Sequence, residues 1–196
     1  IEQLVAESTG KEGRGILPVV GESISAPADY GPDRLFVYLH PEGDDSLDGP
    51  AEALERAGQP MVHLLLEDLY GLGEQFFLWE MGTAVAGHFL GINPFTQPNV
   101  DAAKQRAREM LARYEETGAL PAQSPALVED GVEVYGDVTG GGLRAALSRF
   151  LTQAAPVGYV ALHAYLPPAE TTDAALVRIR QQLRERTGLA VTVGYG

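Results

Sequence analysis

The chain is 196 residues long, carries a formal net charge of −13 and contains no cysteine. That length suits one domain, with two small ones a weaker alternative, and 45% hydrophobic against 21% charged residues supports a packed core rather than disorder. The acidic balance argues against a nucleic-acid face or an acidic membrane as partner. The missing cysteines exclude a disulfide scaffold, a thiol nucleophile and thiolate metal sites, and fit a cytoplasmic setting.

In chain order, residues 1–9 read as the end of a helix stopped by Gly10, without the basic start of a signal peptide. Gly10, Gly13 and Gly15 make a permissive loop. Residues 16–20 read as a short buried strand with a proline inside it, and residues 34–40 as a clearer one. An acidic turn follows, then a helix over 48–57 with Asp48 as its cap and Gly58 as its end. Residues 61–66 form the third strand. The apolar stretch 76–92 holds Glu80 and His88 and is short of the ~20 residues of a membrane span. It therefore belongs to a buried helix over 72–90 that Gly91 ends.

After a stiff turn with two prolines, Asn99 is placed to cap a helix over 100–116 that stops before Gly118. Residues 121–129 read as a loop and 132–135 as a short strand. Gly140, Gly141 and Gly142 lead into a helix over 143–154. A strand over 158–166, a helix from Thr171 or Thr172 to Arg186 and a strand over 190–194 complete the chain. Strands this apolar suit a parallel sheet covered on both faces. The alternation predicts an α/β fold, a three-layer α/β/α sandwich with the strands at 16–20, 34–40, 61–66, 158–166 and 190–194 in one mostly parallel sheet. Residues 1–196 are read as a single domain. Both ends look cut, so the chain is expected to be a piece of a longer polypeptide.

Most candidate chemistry has an ordinary structural reading beside it. None of His40, His63, His88 and His163 has metal-ligand spacing, and satisfied histidines are the simpler reading. The glycine run at 140–142 could offer backbone N–H groups to an anion, but lacks the lysine and hydroxyl of a phosphate loop. Glu42, Asp44, Asp45 and Asp48 lack the pattern of a calcium loop and fit a solvated turn.

Two segments carry more. In Glu7-Ser8-Thr9-Gly10-Lys11 a glutamate lies at the negative end of a helix dipole, a setting that suits a general base; a surface glutamate before a glycine cap is the alternative. In the segment from Gly91 to Lys104 (GINPFTQPNVDAAK), Gln97 lies in a rigid turn and Lys104 about one and a half turns into the next helix. They can present an amide and an ammonium to a polyol or phosphate; a capped helix with an exposed lysine is the alternative. Of 14 basic residues only Lys11 and Lys104 are lysine, one in each segment. Arginine serves everywhere else, and the two are not interchangeable.

Together these segments resemble glucose-6-phosphate isomerase. The ESTGK stretch is similar to the family's segment bearing the catalytic glutamate, and GINPFTQPNVDAAK to its motif closing on the active-site lysine. The surrounding text, IEQLVAESTGKEGRGILPVVGE and LYGLGEQFFLWEMGTAVAGHFLGINPF, looks most like the isomerase part of bacterial transaldolase fusions. The closing GYVALHAYLPP and LAVTVGYG fit that type too.

The resemblance implies a sugar-isomerase (SIS) fold and interconversion of glucose 6-phosphate and fructose 6-phosphate without cofactor or metal. It implies Glu7 as the base working through an enediol, Lys104 as a second catalytic residue assisting ring opening or holding an oxygen, and Gln97 as a substrate contact near the sugar ring. Lys11 is read as a further substrate contact because, with Arg14 and Lys104, it is among the nearest cations in sequence for the sugar-phosphate anion. It also implies a second SIS domain and a transaldolase domain in the same longer chain; homo-oligomerisation is left open. Thr96 departs from the family's usual aspartate and Asn99 from its common glycine. No phosphate-binding serine/threonine loop or ring-opening histidine is matched, and the histidine is expected just beyond Gly196. The 196 residues alone are therefore expected not to isomerise. A non-catalytic sugar-phosphate-binding or regulatory SIS domain is the alternative function.

Overall fold

A computed structural model describes residues 1–138, 141–154 and 158–196. In chain order the elements are α1 (Glu2–Thr9), a 3-10 turn (Pro27–Asp29), β1 (Phe36–Pro41), α2 (Asp48–Arg56), β2 (Met61–Leu66), α3 (Gly71–Leu90), α4 (Pro98–Thr117), β3 (Leu127–Glu129), β4 (Val132–Val134), α5 (Leu143–Thr152), β5 (Tyr159–Ala164), α6 (Glu170–Thr187) and β6 (Ala190–Tyr195). They fall into two compact units, Ile1–Thr96 with Tyr159–Gly196, and Gln97–Gly158. Among the described residues no helix is long and apolar enough to cross a membrane.

The first unit is built on two β-α-β arrangements. β1 and β2 pair in parallel from Phe36 beside Met61 to Pro41 beside Leu66, with α2 between them in sequence. β5 and β6 pair in parallel from Tyr159 beside Ala190 to Ala164 beside Tyr195, with α6 between them. Parallel neighbours need such a crossover, which explains why apolar runs alternate with helices. Leu54 of α2 and Val191 of β6 are the best-buried apolar side chains, and α1 packs against α3.

The sheet departs from expectation in two ways. The described strands form three two-stranded sheets rather than one large sheet. Val37, Val62 and Leu65 consequently remain exposed, so the β1–β2 pair is not covered on both faces. Residues 16–20, moreover, form no strand. Backbone polar groups need partners, and here side chains supply them. The Ile16 N–H donates to Thr9 Oγ1 at 2.9 Å, Arg180 Nη1 donates to the Val20 carbonyl at 3.0 Å and Arg184 Nη1 to the Ser23 carbonyl at 3.2 Å. Pro18 has no N–H to give a ladder. Both arginines are buried; Arg184 also lies 3.3 Å from Glu22 and over the Tyr30 ring.

Helix ends follow the glycines. Gly91, Gly118 and Gly188 adopt left-handed C-cap geometry. The starts differ from the sequence reading. α4 opens at Pro98, whose missing N–H costs nothing in a first turn, so Gln97 rather than Asn99 is the cap residue. The cap of α2 is Leu47, and Asp48 lies in the first turn with its carboxylate accepting from the Tyr38 hydroxyl.

In the second unit, β3 and β4 form an antiparallel hairpin, where only the second strand was expected. Its two-residue connection is Asp130-Gly131, both at positive φ, the geometry that matches the twist of a tight hairpin.

Candidate functional site

Glu7 lies in the last turn of α1, exposed, with its Oε1 accepting from Gln3 Nε2 at 3.0 Å. An exposed carboxylate one turn from a helix end can reach a substrate proton. Thr9, two residues on, is fully buried and anchors the end of the helix. Its Oγ1 donates to the Val5 carbonyl at 2.7 Å while accepting from Ile16 N–H.

Beyond Gly10 the chain turns tightly. Lys11 and Arg14 exchange backbone hydrogen bonds of 3.0 and 2.9 Å across Glu12 and Gly13, both at positive φ. This type I′ geometry requires a left-handed backbone at both central positions, which glycine supplies at the second. The turn sends both flanking cations to the end of α3.

Arg14 Nη1 donates to the carbonyl of Leu90, the last residue of α3, at 2.6 Å. Lys11 is only 4% exposed. Its Nζ donates to the carbonyls of Asn93 and Pro94, each at 2.9 Å, and to that of Thr96. These carbonyls belong to the turn after α3, which has its own internal scaffold. Gly91 closes the helix at φ 69° and the Ile92 N–H reaches back to the Gly87 carbonyl at 3.0 Å. Asn93 Oδ1 accepts from the Phe95 N–H at 3.0 Å, and Thr96 Oγ1 donates to the Asn93 carbonyl at 3.2 Å. The two segments singled out in the sequence therefore meet at one ammonium.

Gln97 and Lys104 belong to the second unit. Gln97 is the cap residue of α4, its backbone carbonyl accepting from the Asp101 N–H at 3.2 Å and its side chain making no cap bond, and Lys104 lies exposed within the helix. Glu7 and Lys11 thus belong to one unit, Gln97 and Lys104 to the other.

The remaining candidates have structural partners. His40 stacks on Tyr38 with 4.2 Å between ring centres, and its Nδ1 lies 3.1 Å from the Asp44 carbonyl. His63 Nε2 lies 3.0 Å from Glu55, and His88 sits against Phe89. His163 stands in β5 opposite Gly194. Asp44 is held below the usual carboxylate range by side-chain and backbone hydrogen bonds from Ser46. Among the described residues no cluster of histidine, aspartate and glutamate could hold a metal ion. Gly140 lies outside the described residues. The N-terminus of α5 takes a carboxylate from its own unit, with the Leu143 N–H donating to Glu129 Oε2 at 2.7 Å.

Sequence reasoning passed over Thr9 and the buried arginines. A threonine one residue before a helix-ending glycine is the only local signal for the first. The arginines' partners lie about 160 residues away in sequence and leave no local trace.

No family model and no solved structure matches the chain. It is similar to part of an enzyme. Glucose-6-phosphate isomerase of Limosilactobacillus reuteri (strain DSM 20016) is 41% identical over 157 residues, 60% of this chain and 35% of that protein. A probable glucose-6-phosphate isomerase of Natronomonas pharaonis is 29% identical over 166 residues, 65% and 38% of the two chains. Glucose-6-phosphate isomerase of Heliobacterium modesticaldum is 27% identical over 165 residues, 63% and 37%. The chain spans little more than a third of the length of these curated relatives.

Proposed function

We propose that the chain is the C-terminal sugar-isomerase portion of a glucose-6-phosphate isomerase of the transaldolase-fusion type. It would interconvert glucose 6-phosphate and fructose 6-phosphate as part of a longer polypeptide. The observation that carries this reading is the meeting of the two motif-like segments at Lys11, 82 to 85 residues apart in sequence. Similarity to isomerases over 60 to 65% of the chain supports it. A three-layer sandwich is part of the proposal, with the two parallel β-α-β arrangements as its recurring piece.

In the open-chain sugar, Glu7 takes the proton from C2 as the electron pair of that bond forms the C1=C2 double bond and the C1 carbonyl pair moves onto O1, which takes up a proton to complete the enediol. Glu7 then returns a proton to C1 while O2 gives up its hydroxyl proton and the carbonyl re-forms at C2; the proton lost at O2 offsets the one gained at O1. Atoms and electrons balance without an external oxidant or reductant, because the sugar is oxidised at C2 and reduced at C1. The exposed carboxylate of Glu7 suits such a shuttle. Gln97 and Lys104 keep the roles that the resemblance implies, sugar contact for Gln97 and, for Lys104, help in ring opening or the holding of a sugar oxygen.

The deciding experiment is Glu7→Gln in the full-length protein, followed by a coupled dehydrogenase assay. The amide keeps the shape and cannot take the proton, so kcat falls about 10²–10⁴-fold while KM stays near its starting value. Near-normal turnover removes Glu7 from the role of base.

A further inference from the structure

We propose that Lys11 is a positioning residue, a buried ammonium that clasps the 93–96 turn to the end of α1 and so fixes the backbone beside Glu7. The proposal rests on the reading of Glu7 as the base. An ammonium has three donors and no acceptor. Here all three go to backbone carbonyls, those of Asn93, Pro94 and Thr96. None is left for a substrate oxygen.

The charge is compensated without a carboxylate. Among the described residues no carboxylate lies within ion-pairing distance of Nζ. Instead the ammonium sits just past the C-terminus of α3, where carbonyl dipoles favour a cation, and Arg14 takes the Leu90 carbonyl beside it. Removing the charge would take a donor from each of the three carbonyls, of which that of Asn93 would keep the Thr96 hydroxyl.

The geometry also explains the residue type. A guanidinium spreads five N–H groups over a flat fork, whereas three acceptors converging on one point need a compact tetrahedral head. In a chain that uses arginine at all but two of its 14 basic positions, Lys11 stands where three carbonyls converge on one point, a place the flat guanidinium does not suit.

A substrate contact and a positioning residue predict different outcomes in the full-length protein. Competitive acylation of the wild type, read by peptide mass spectrometry, should label exposed Lys104 rapidly and Lys11 far more slowly. This needs no variant and stands if a substitution unfolds the chain. Equal labelling overturns the clasp.

In Lys11→Met, hydrogen exchange should accelerate across residues 92–96. The rate constant kcat should fall by roughly 10²-fold, the scale that ångström misplacement of a catalytic group produces, with KM little changed. Lys11→Arg, which keeps the charge, should not restore kcat, whereas ethylammonium added to Lys11→Ala should restore part of it. A raised KM with unchanged kcat and unchanged exchange overturns the proposal in favour of direct substrate contact. Slow acylation and faster variant exchange in a protein whose wild type does not isomerise would instead overturn the assignment of Glu7 and leave the clasp standing.

Discussion

The hydroxyl of Tyr38 donates to Asp48 Oδ1 at 3.1 Å, and this one bond joins β1 to the first turn of α2. Burial, then the hydrogen bond to Asp48 and its charge, push the phenol above its ordinary value. Tyr135 and Tyr195 are raised chiefly by hydrogen bonds to Glu133 and Asp173. A group whose folded pKa is raised contributes stability that is present below the unfolded value, near 10 for tyrosine, and lost as pH rises through the folded one. Stability should therefore decline in the alkaline range. Tyr38→Phe should be less stable than wild type at neutral pH and show a shallower alkaline decline. Urea titrations at pH 8 and pH 11 measure both, and an unchanged slope between them would remove Tyr38 from the titrating set.

At the scale of elements, α3 contains two interior glycines with opposite expectations. A Cβ on Gly82 would meet nothing within 4 Å, while one on Gly87 would come within 2.8 Å of the Pro94 ring, which packs on the helix there. Alanine in place of a helical glycine gains about 1 kcal/mol from propensity alone. Overpacking against a fixed ring costs about 1–3 kcal/mol. Gly82→Ala should thus raise the denaturation midpoint and Gly87→Ala lower it. Equal shifts in the two variants would mean that the turn yields to the new methyl group.

Such contrasts also show which features were readable from sequence. Gly91 and Gly118 end helices where their positions suggested, because a left-handed cap is a local requirement. The hairpin at Asp130-Gly131 was missed, because its first strand, residues 127–129, is too short to show as an apolar run. The segments around Glu7 and from Gly91 to Lys104 were legible as motifs. The partners of Lys11 were not, since three backbone carbonyls 82 to 85 residues away have no side-chain signature. Residues 16–20 looked like a strand by their apolarity, while the donors their neighbourhood uses come from α6.

For the whole molecule the net charge of −13 is the dominant long-range term. Like charges repel across a folded surface and salt screens that repulsion, with a Debye length of about 10 Å at 0.1 M. The Tm should rise between 20 and 200 mM potassium chloride, a range set on the scale of that screening. A falling Tm would mean that favourable ion pairs such as Arg184 with Glu22 outweigh the general repulsion.

The arginines that hold residues 20–25 also set a schedule. Arg180 and Arg184 follow the carbonyls they bind by 160 and 161 residues. A ribosome adding ~5–20 residues per second takes roughly 8–30 s to cover that interval. For that time the early segment has been made while its later donors have not. The Lys11 clasp needs only the next 85 residues and can close in about half the wait. The motif-bearing corner of the first unit can therefore be assembled during synthesis well before the segment beside it is secured.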